Sequence, residues 1–472
     1  MAEYLDCING FVWGVPALTL ILGVGLWLSV KTRWVQLRLF PRACKSFFRE
    51  MRKPAGGNHA VSPYRSLCTA LAATVGTGNL AGVAGALCIG GPGAIFWMWC
   101  CGLLGMVLKF AEAVLAVRYR SRDQLGGYVA GPMYMIRNGM GKSWAWMGSI
   151  YCFFGVTAAF GVGNATQVNA VIGGVNRMIH ALGGTETRIG NLIMGAVLGL
   201  AVVVLLLGGA EKIGAAAQKL VPLAAGGYLL LGSVVLVLRM NRIPGAMNAI
   251  LRGAFQPGAV TGGVLGSVIR TLRVGISRGV FTNEAGMGTA AIAHGASNVW
   301  HPVEQGLMGI MEVFLDTIVI CTMTALVILC SGVEIPYGTD VGIALTTEAF
   351  SAVCGDWVSV FIALALCCFA FATILGWGLY GARCAQYLFG RETWRVFAVA
   401  QGLIVVLGAV LETGTVWILA EIFNGLMAIP NLIALAALSP ELVRLTKEYI
   451  MLTGPRGADG GTYESIYQCK PL

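Results

Sequence analysis

Two short stretches gather glycines and hydrogen-bonding side chains inside otherwise apolar runs: Thr74-Val75-Gly76-Thr77-Gly78-Asn79 and Asn283-Glu284-Ala285-Gly286-Met287-Gly288-Thr289. In a helix buried in lipid every backbone polar group needs a partner, so an interrupted helix survives only where it lines a cavity or is buried in protein. The freed amides of a half-helix N-terminus favour an anion, and the freed carbonyls of a C-terminus favour a cation. Two opposed breaks therefore suit a zwitterion such as an amino acid without any charged side chain. Gly76 and Gly78 let a ligand approach the backbone, and Thr74, Thr77 and Asn79 add side-chain oxygens. Ionisable residues within apolar runs need partners. Lys109 and Glu112, three residues apart, are expected to pair with each other; Glu284 is expected either to pair with Arg278 or to meet a ligand amine. Glu312 and Asp316 lie four apart, with no cation near them in sequence, and border an ion or proton route or bond neighbouring polar groups.

The elements that hold these residues are membrane spans. Only 11% of the 472 residues are charged and 57% are hydrophobic, with a mean hydropathy of +0.76, whereas soluble domains carry about 25% charged residues. Spanning takes about 20 mostly apolar residues. Segments of that kind lie at approximately 9–30, 66–90, 93–117, 146–172, 191–208, 213–238, 259–292, 304–331, 357–382, 394–411 and 414–438. The segment at 259–292 is too long for one straight crossing at 1.5 Å per residue, which a break near its glycines resolves. No basic n-region precedes the first run, so it reads as a retained helix with its N-terminus outside. With that start, Lys and Arg crowd the loops placed inside, above all 31–65 and 118–145, as the positive-inside rule requires. The two Gly-rich spans then cross in opposite directions, as paired broken helices do in an inverted repeat. Arg38, Arg42, Lys45, Arg49 and Arg52 recur at helical spacing beside Phe40, Cys44, Phe47 and Met51. That pattern fits an amphipathic helix lying on anionic lipid, or one packed on the protein. A shorter stripe of the same kind includes Met247, Ile250 and Phe255. The net charge of +10 thus belongs to the membrane surface and not to nucleic acid. The fourteen cysteines have no metal-ligand spacing and read as packing residues.

The stretches GTGNLAGVAGALCIGGPGAIFWMW (76–99) and RGVFTNEAGMGTAAIAHGASN (278–298) resemble the signatures of the alanine or glycine:cation symporter family. GGYVAGPMYMI (126–136), GNATQVN (163–169) and ATILGWGLYG (372–381) resemble it too, so the likeness covers nearly the whole chain. It implies an all-α polytopic membrane protein of about 11 transmembrane helices: a leucine-transporter-type 5+5 inverted repeat with two discontinuous helices, plus one extra N-terminal helix. Amides near Thr77 and Gly78 would take the substrate carboxylate, and Gln167, Phe281, Asn283, Thr373 and Trp377 would line the pocket. Two large aromatics there leave room only for a small side chain. The coupling ion, Na⁺, would be held by the Ala72 and Val75 carbonyls, the Thr373 hydroxyl and Asn79. Where family members carry Ser-Thr this chain has Ala372-Thr373, one hydroxyl fewer, and Ala382 stands where they carry an acid. That departure keeps H⁺ as the alternative coupling ion.

The expected organisation is an N-terminal helix and basic segment (1–62), two five-helix repeats (63–238 and 239–438) and a cytoplasmic tail (439–472). The expected activity is symport of small neutral amino acids across a bacterial inner membrane. Beyond the coupling ion no cofactor is expected, and beyond substrate and membrane lipid no obligate partner. An intramembrane enzyme is the rival reading, but no HExxH or GxSxG motif lies within the spans. The four histidines, at 59, 180, 294 and 301, fall near or outside the span ends. A channel is weaker still, for want of a filter segment.

Overall fold

The computed structural model describes residues 2–53, 61–122, 127–181, 183–411 and 414–453. Eight of its helices are long and apolar enough to cross a membrane: Ile8–Lys31, Gly93–Tyr119, Lys142–Ile179, Arg188–Leu207, Gly209–Leu238, Pro302–Ser331, Trp357–Phe389 and Ile418–Ala437. A ninth span is the bent pair Pro63–Thr74 and Gly78–Gly90, whose halves meet at 55°. The chain is thus an all-α polytopic membrane protein. The expected span at 394–411 is the shorter helix Thr393–Gly408.

Two expectations need correction. The segment 259–292 is not one continuous helix: the short helix Pro257–Val260 ends before Gly262 and Gly263, which turn the chain with positive φ. Helix resumes at Val268, where Ser267 accepts the Arg270 amide in an N-cap. A further helix, Ile343–Cys354, was not anticipated, since at 12 residues it falls below spanning length. The basic stripe forms the helix Phe40–Arg52. Ala43, Ser46 and Glu50 are buried against the protein, while Lys45, Phe48, Arg49, Met51 and Arg52 are exposed.

Local chemistry sets the element ends around the centre. Ser62 accepts the Arg65 amide and Pro63 opens the first broken helix. The second broken helix runs Val268–Asn283, stops where Glu284 takes a left-handed conformation (φ 52°), and resumes at Thr289–His294. Gly286 and Gly288, at φ 90° and 80°, make the turn that L side chains disfavour. Wider π-helical winding occurs in three places: Gly78–Gly82 of the first broken helix, Gly161–Ala165 and Phe314–Cys321. Such turns leave carbonyls and side chains reoriented, and they gather at functional sites. Gly93–Tyr119 is the central post, packed on Pro302–Val313, Val268–Asn283, Thr289–His294 and the N-terminal helix. Trp357–Phe389 packs across Pro63–Thr74, Gly209–Leu238 and both parts of Lys142–Ile179. Large apolar side chains such as Leu200, Leu223, Leu230 and Val396 face outward, as lipid contact requires.

Candidate functional site

A pocket lies where the two breaks face each other and is lined by Ala73, Thr74, Gly76, Thr77, Gly78, Val162, Gln167, Phe281, Glu284, Thr373, Trp377 and Asn424. Six residues expected from the sequence are therefore gathered: Thr77, Gly78, Gln167, Phe281, Thr373 and Trp377. Gln167 donates through Nε2 to the Val162 carbonyl at 3.2 Å, and its Oε1 is buried without a partner. Trp377, 1% exposed, donates its indole N–H to Glu284 Oε1 at 2.9 Å. Its ring seats against Gly163, where a Cβ would lie 2.2 Å from Trp377 Cβ. Gly78 faces the second broken helix more than open space: an added Cβ would sit 3.4 Å from Thr282 Oγ1 and 3.7 Å from Phe281.

Asn283 is placed differently from expectation. Its Nδ2 donates to Thr317 Oγ1 at 3.1 Å and its Oδ1 accepts the Ala285 amide at 3.0 Å. One end of the amide closes the break and the other reaches the span Pro302–Ser331, and Asn283 is not among the residues that line the pocket. The residues expected at the ion divide in the same way. Gly76 N donates to Asn79 Oδ1 at 2.9 Å instead of continuing the helix, which deprives the Ala72 carbonyl of its usual fourth-residue donor. Thr373 lies opposite, because a Cβ on Gly76 would come within 2.9 Å of its hydroxyl. Gly76 and Thr373 therefore meet, and the Val75 amide closes back on the Leu71 carbonyl at 2.8 Å. Asn79 spends its other end on Asp316 Oδ1, at 2.7 Å. Its side chain braces the break and offers no open oxygen.

Around the pocket lies a buried polar network that the sequence pairings misassigned. Lys109 bonds not to Glu112 but to Glu312 Oε1, at 2.8 Å across two spans, with both side chains sealed from solvent. Glu312 Oε2 meets His294 Nε2 at 2.9 Å, and His294 Nδ1 meets Gln305 Nε2 at 2.6 Å. His294, the last residue of the helix Thr289–His294, is fully buried. Glu112 Oε1 accepts the Gly286 and Gly288 amides at 3.0 Å each and Asn431 Nδ2 at 2.9 Å. A carboxylate on two successive free amides is the usual filling of such a backbone nest. Arg278 pairs with Asp340 at 3.0 Å, not with Glu284. Glu284 Oε2 instead accepts the Thr289 hydroxyl at 2.8 Å, linking the two halves of the broken helix. Glu284, expected either to pair with Arg278 or to meet a ligand amine, lines the pocket, whereas Asn424 was missed altogether. An Asn in the apolar run 414–438 was the available signal for it.

The described residues contain no group of three or more metal-binding side chains. Backbone carbonyls, hydroxyls, two side-chain amides and the Glu284 carboxyl are the oxygen donors at hand, and they suit a hard monovalent or ammonium cation.

A family model described as the sodium:alanine symporter family matches residues 1–456. This chain belongs to the sodium:alanine symporter family. As members of it the chain and its relatives are transporters, not enzymes. It is 40% identical over 453 residues to the sodium/alanine symporter AgcS of Methanococcus maripaludis, covering 94% of this chain and 96% of that one. It is 41% identical to an uncharacterized transporter of Haemophilus influenzae, covering 94% and 95% of the two chains. To the probable sodium/glutamine symporter GlnT of Bacillus subtilis it is 34% identical, covering 93% and 89%. In fold this symporter is similar to MhsT solved in complex with L-phenylalanine, with a TM-score of 0.57 at 14% identity, covering 83% of this chain and 99% of that one. It is also similar to the nucleobase-cation symporter Mhp1, with a TM-score of 0.50 at 12% identity, over 88% and 98%. Both likenesses bear out the leucine-transporter-type fold.

Proposed function

We propose that this symporter carries small neutral amino acids, alanine or glycine, together with Na⁺ by alternating access between two five-helix halves, 63–238 and 239–438. The observation that carries the reading is the meeting of two helix breaks at one pocket walled by Phe281 and Trp377. Amides at Thr77 and Gly78 would take the carboxylate, and the aromatic walls leave room for a methyl group or a hydrogen. Na⁺ would be held by the Ala72 and Val75 carbonyls and the Thr373 hydroxyl, a reading supported by the close approach of Gly76 to Thr373. The printed names of the sodium/alanine and sodium/glutamine relatives support an amino acid and Na⁺ as the pair. The N-terminus would lie outside and the C-terminal helix in the cytoplasm of a bacterial cell, because the basic loops then face inward.

A second reading takes H⁺ as the coupling ion. It is favoured by the missing hydroxyl at Ala372 and by Asp316, a fully buried carboxyl with no ion-pair partner among the described residues. Uptake of labelled alanine into proteoliposomes, with an imposed Na⁺ gradient, a pH gradient or neither, separates the readings. With one Na⁺ per cycle, a tenfold gradient and 100 mV together supply about 3.7 kcal/mol, roughly 500-fold accumulation. Accumulation driven by Na⁺ at constant pH supports the first reading; accumulation that ignores Na⁺ and follows pH sinks it.

A further inference from the structure

A second cleft shares no lining residue with the pocket at the breaks. Three elements form it: the span Lys142–Ile179 through Arg177, the helix Ile343–Cys354 through Ile343 and Thr347, and the span Trp357–Phe389 through Ser359, Ile362 and Leu366. Its polar groups leave one charge unanswered. Thr347 donates its hydroxyl proton to the Ile343 carbonyl at 3.2 Å, and Ser359 donates to the Asp356 carbonyl at 2.6 Å. Arg177, the one charged residue in the described lining, makes no hydrogen bond or ion pair with any described residue. Its guanidinium carries five N–H donors in a planar fork that matches a carboxylate. Ile343, Ile362 and Leu366 make the wall beside it apolar. An unanswered guanidinium next to an apolar wall fits an anion with an apolar body. The cleft also has a mechanical position. The helix Ile343–Cys354 and the loop before it are fastened to Gly78–Gly90 and Val268–Asn283, one half of each broken helix. Thr346 Oγ1 donates to the Leu80 carbonyl at 3.0 Å, and the Gly338 amide donates to the Cys88 carbonyl at 2.9 Å. Asp340 pairs with Arg278 at 3.0 Å and sits over Gly85, where a Cβ would lie 2.7 Å from its carboxylate. A ligand in the cleft therefore bridges a helix fastened to both broken helices and the two long spans beside it.

We propose that this cleft is an inhibitory site for a carboxylate with a short apolar tail, held by Arg177, which pins the helix Ile343–Cys354 to the long spans. The inhibition rests on the alternating-access reading above; the binding rests on the cleft alone. The carboxylate answers the guanidinium, and the tail lies along Ile343, Ile362 and Leu366. No acidic side chain in the described lining balances an ammonium group, so amino acids are poor ligands and the cargo does not compete for the cleft. Occupancy ties down one half of each broken helix without entering their pocket. Turnover falls while affinity for the cargo stands.

The test uses hexanoate as the probe and the full-length protein. Labelled hexanoate is dialysed to equilibrium against the protein in detergent, with hexylamine and leucine as competitors. The wild type should bind hexanoate, ignore hexylamine and bind leucine at least about tenfold more weakly. Arg177→Gln, at an exposed position, should weaken hexanoate at least about tenfold. Ala363→Phe, which fills the cleft and leaves its charge alone, should do the same. In proteoliposomes hexanoate should lower the maximal rate of alanine uptake and leave its KM unchanged. Arg177→Gln should escape that effect, with its own uptake close to wild type. Hexanoate bound equally by wild type and Arg177→Gln overturns the proposal, since partition into detergent then explains the signal. Hexylamine or leucine bound as tightly as hexanoate overturns it as well. A rise in KM alone moves hexanoate to the pocket at the breaks and refutes the inhibitory site. If the wild type takes up no alanine, the transport reading fails, and dialysis still decides the cleft.

Discussion

A Cβ added to Gly76 would lie 2.9 Å from the Thr373 hydroxyl. The break in the first broken helix and the long span Trp357–Phe389 therefore touch at the point proposed for the ion. Thr373 spends its proton on the Phe369 carbonyl at 3.0 Å, which leaves its oxygen lone pairs toward the break.

Thr373→Ala should raise the Na⁺ concentration at half-maximal alanine binding at least tenfold, because Ala372 offers no second hydroxyl. Thr373→Ser should stay near wild type. Ala372→Ser should lower the midpoint. The three titrations in detergent are the check, and three unchanged midpoints would remove the ion from this place. Gly76→Ala should behave like Thr373→Ala, since its methyl must displace the hydroxyl.

Trp377→Phe loses the bond to Glu284 and part of the wall. Alanine binding should weaken by about tenfold, equivalent to about 1.4 kcal/mol, and larger amino acids such as leucine should compete where they did not before. Competition assays against labelled alanine read both effects. Gly163→Ala should be worse than Trp377→Phe, because its Cβ would overlap the indole's own Cβ and the backbone must yield.

Lys109→Met strands Glu312 without its cation in a site closed to water. Losing one partner of a buried pair costs about 3–5 kcal/mol, whereas replacing both can be neutral. The single variant should melt well below wild type in a detergent thermal-shift assay. Lys109→Met with Glu312→Leu should recover much of the loss, less whatever His294 forfeits by losing its partner.

The C-terminal helix Ser439–Leu452 gives a pH-dependent contact outside the spans. Hydrogen bonding to Arg444 foremost, and to Arg118, holds the Glu441 carboxyl down at about 2. A depressed carboxyl adds stability that is complete above its ordinary value of 4.5 and lost as pH falls through 2. Hydrogen-exchange protection factors over 439–452, taken relative to the intrinsic rate at each pH, should therefore hold from pH 7 to 5 and fall below about pH 4. In Glu441→Gln protection should already be lower at pH 7 and show little added change on acidification.

Much of the site was readable because the broken helices declare themselves in sequence. Gly76, Thr77 and Gly78 interrupt an apolar run, and no straight helix accounts for the length of 259–292. Family motifs added Gln167, Phe281, Thr373 and Trp377 from elements far apart in the chain. The ion pairs were not readable, for a physical reason. Lys109 and Glu112 are neighbours on one helix, but proximity along a helix is worth little. In a medium without water the free amides of Gly286 and Gly288 compete better for Glu112, which releases Lys109 to Glu312 on another span. Asn79 was assigned to a ligand by residue type and Asn283 by the family motif. The structure spends both on the breaks themselves, since an interrupted backbone must be satisfied before it can serve a ligand.

Glu284 joins the indole of Trp377 to Thr289 across the second break, so the wall that measures the ligand is also fastened to the joint. An oversized amino acid that forces the indole aside drags on that joint as it binds. Selection would then act on turnover as well as on entry: bulky amino acids would occupy the protein and halt it, behaving as inhibitors and not as slow cargo.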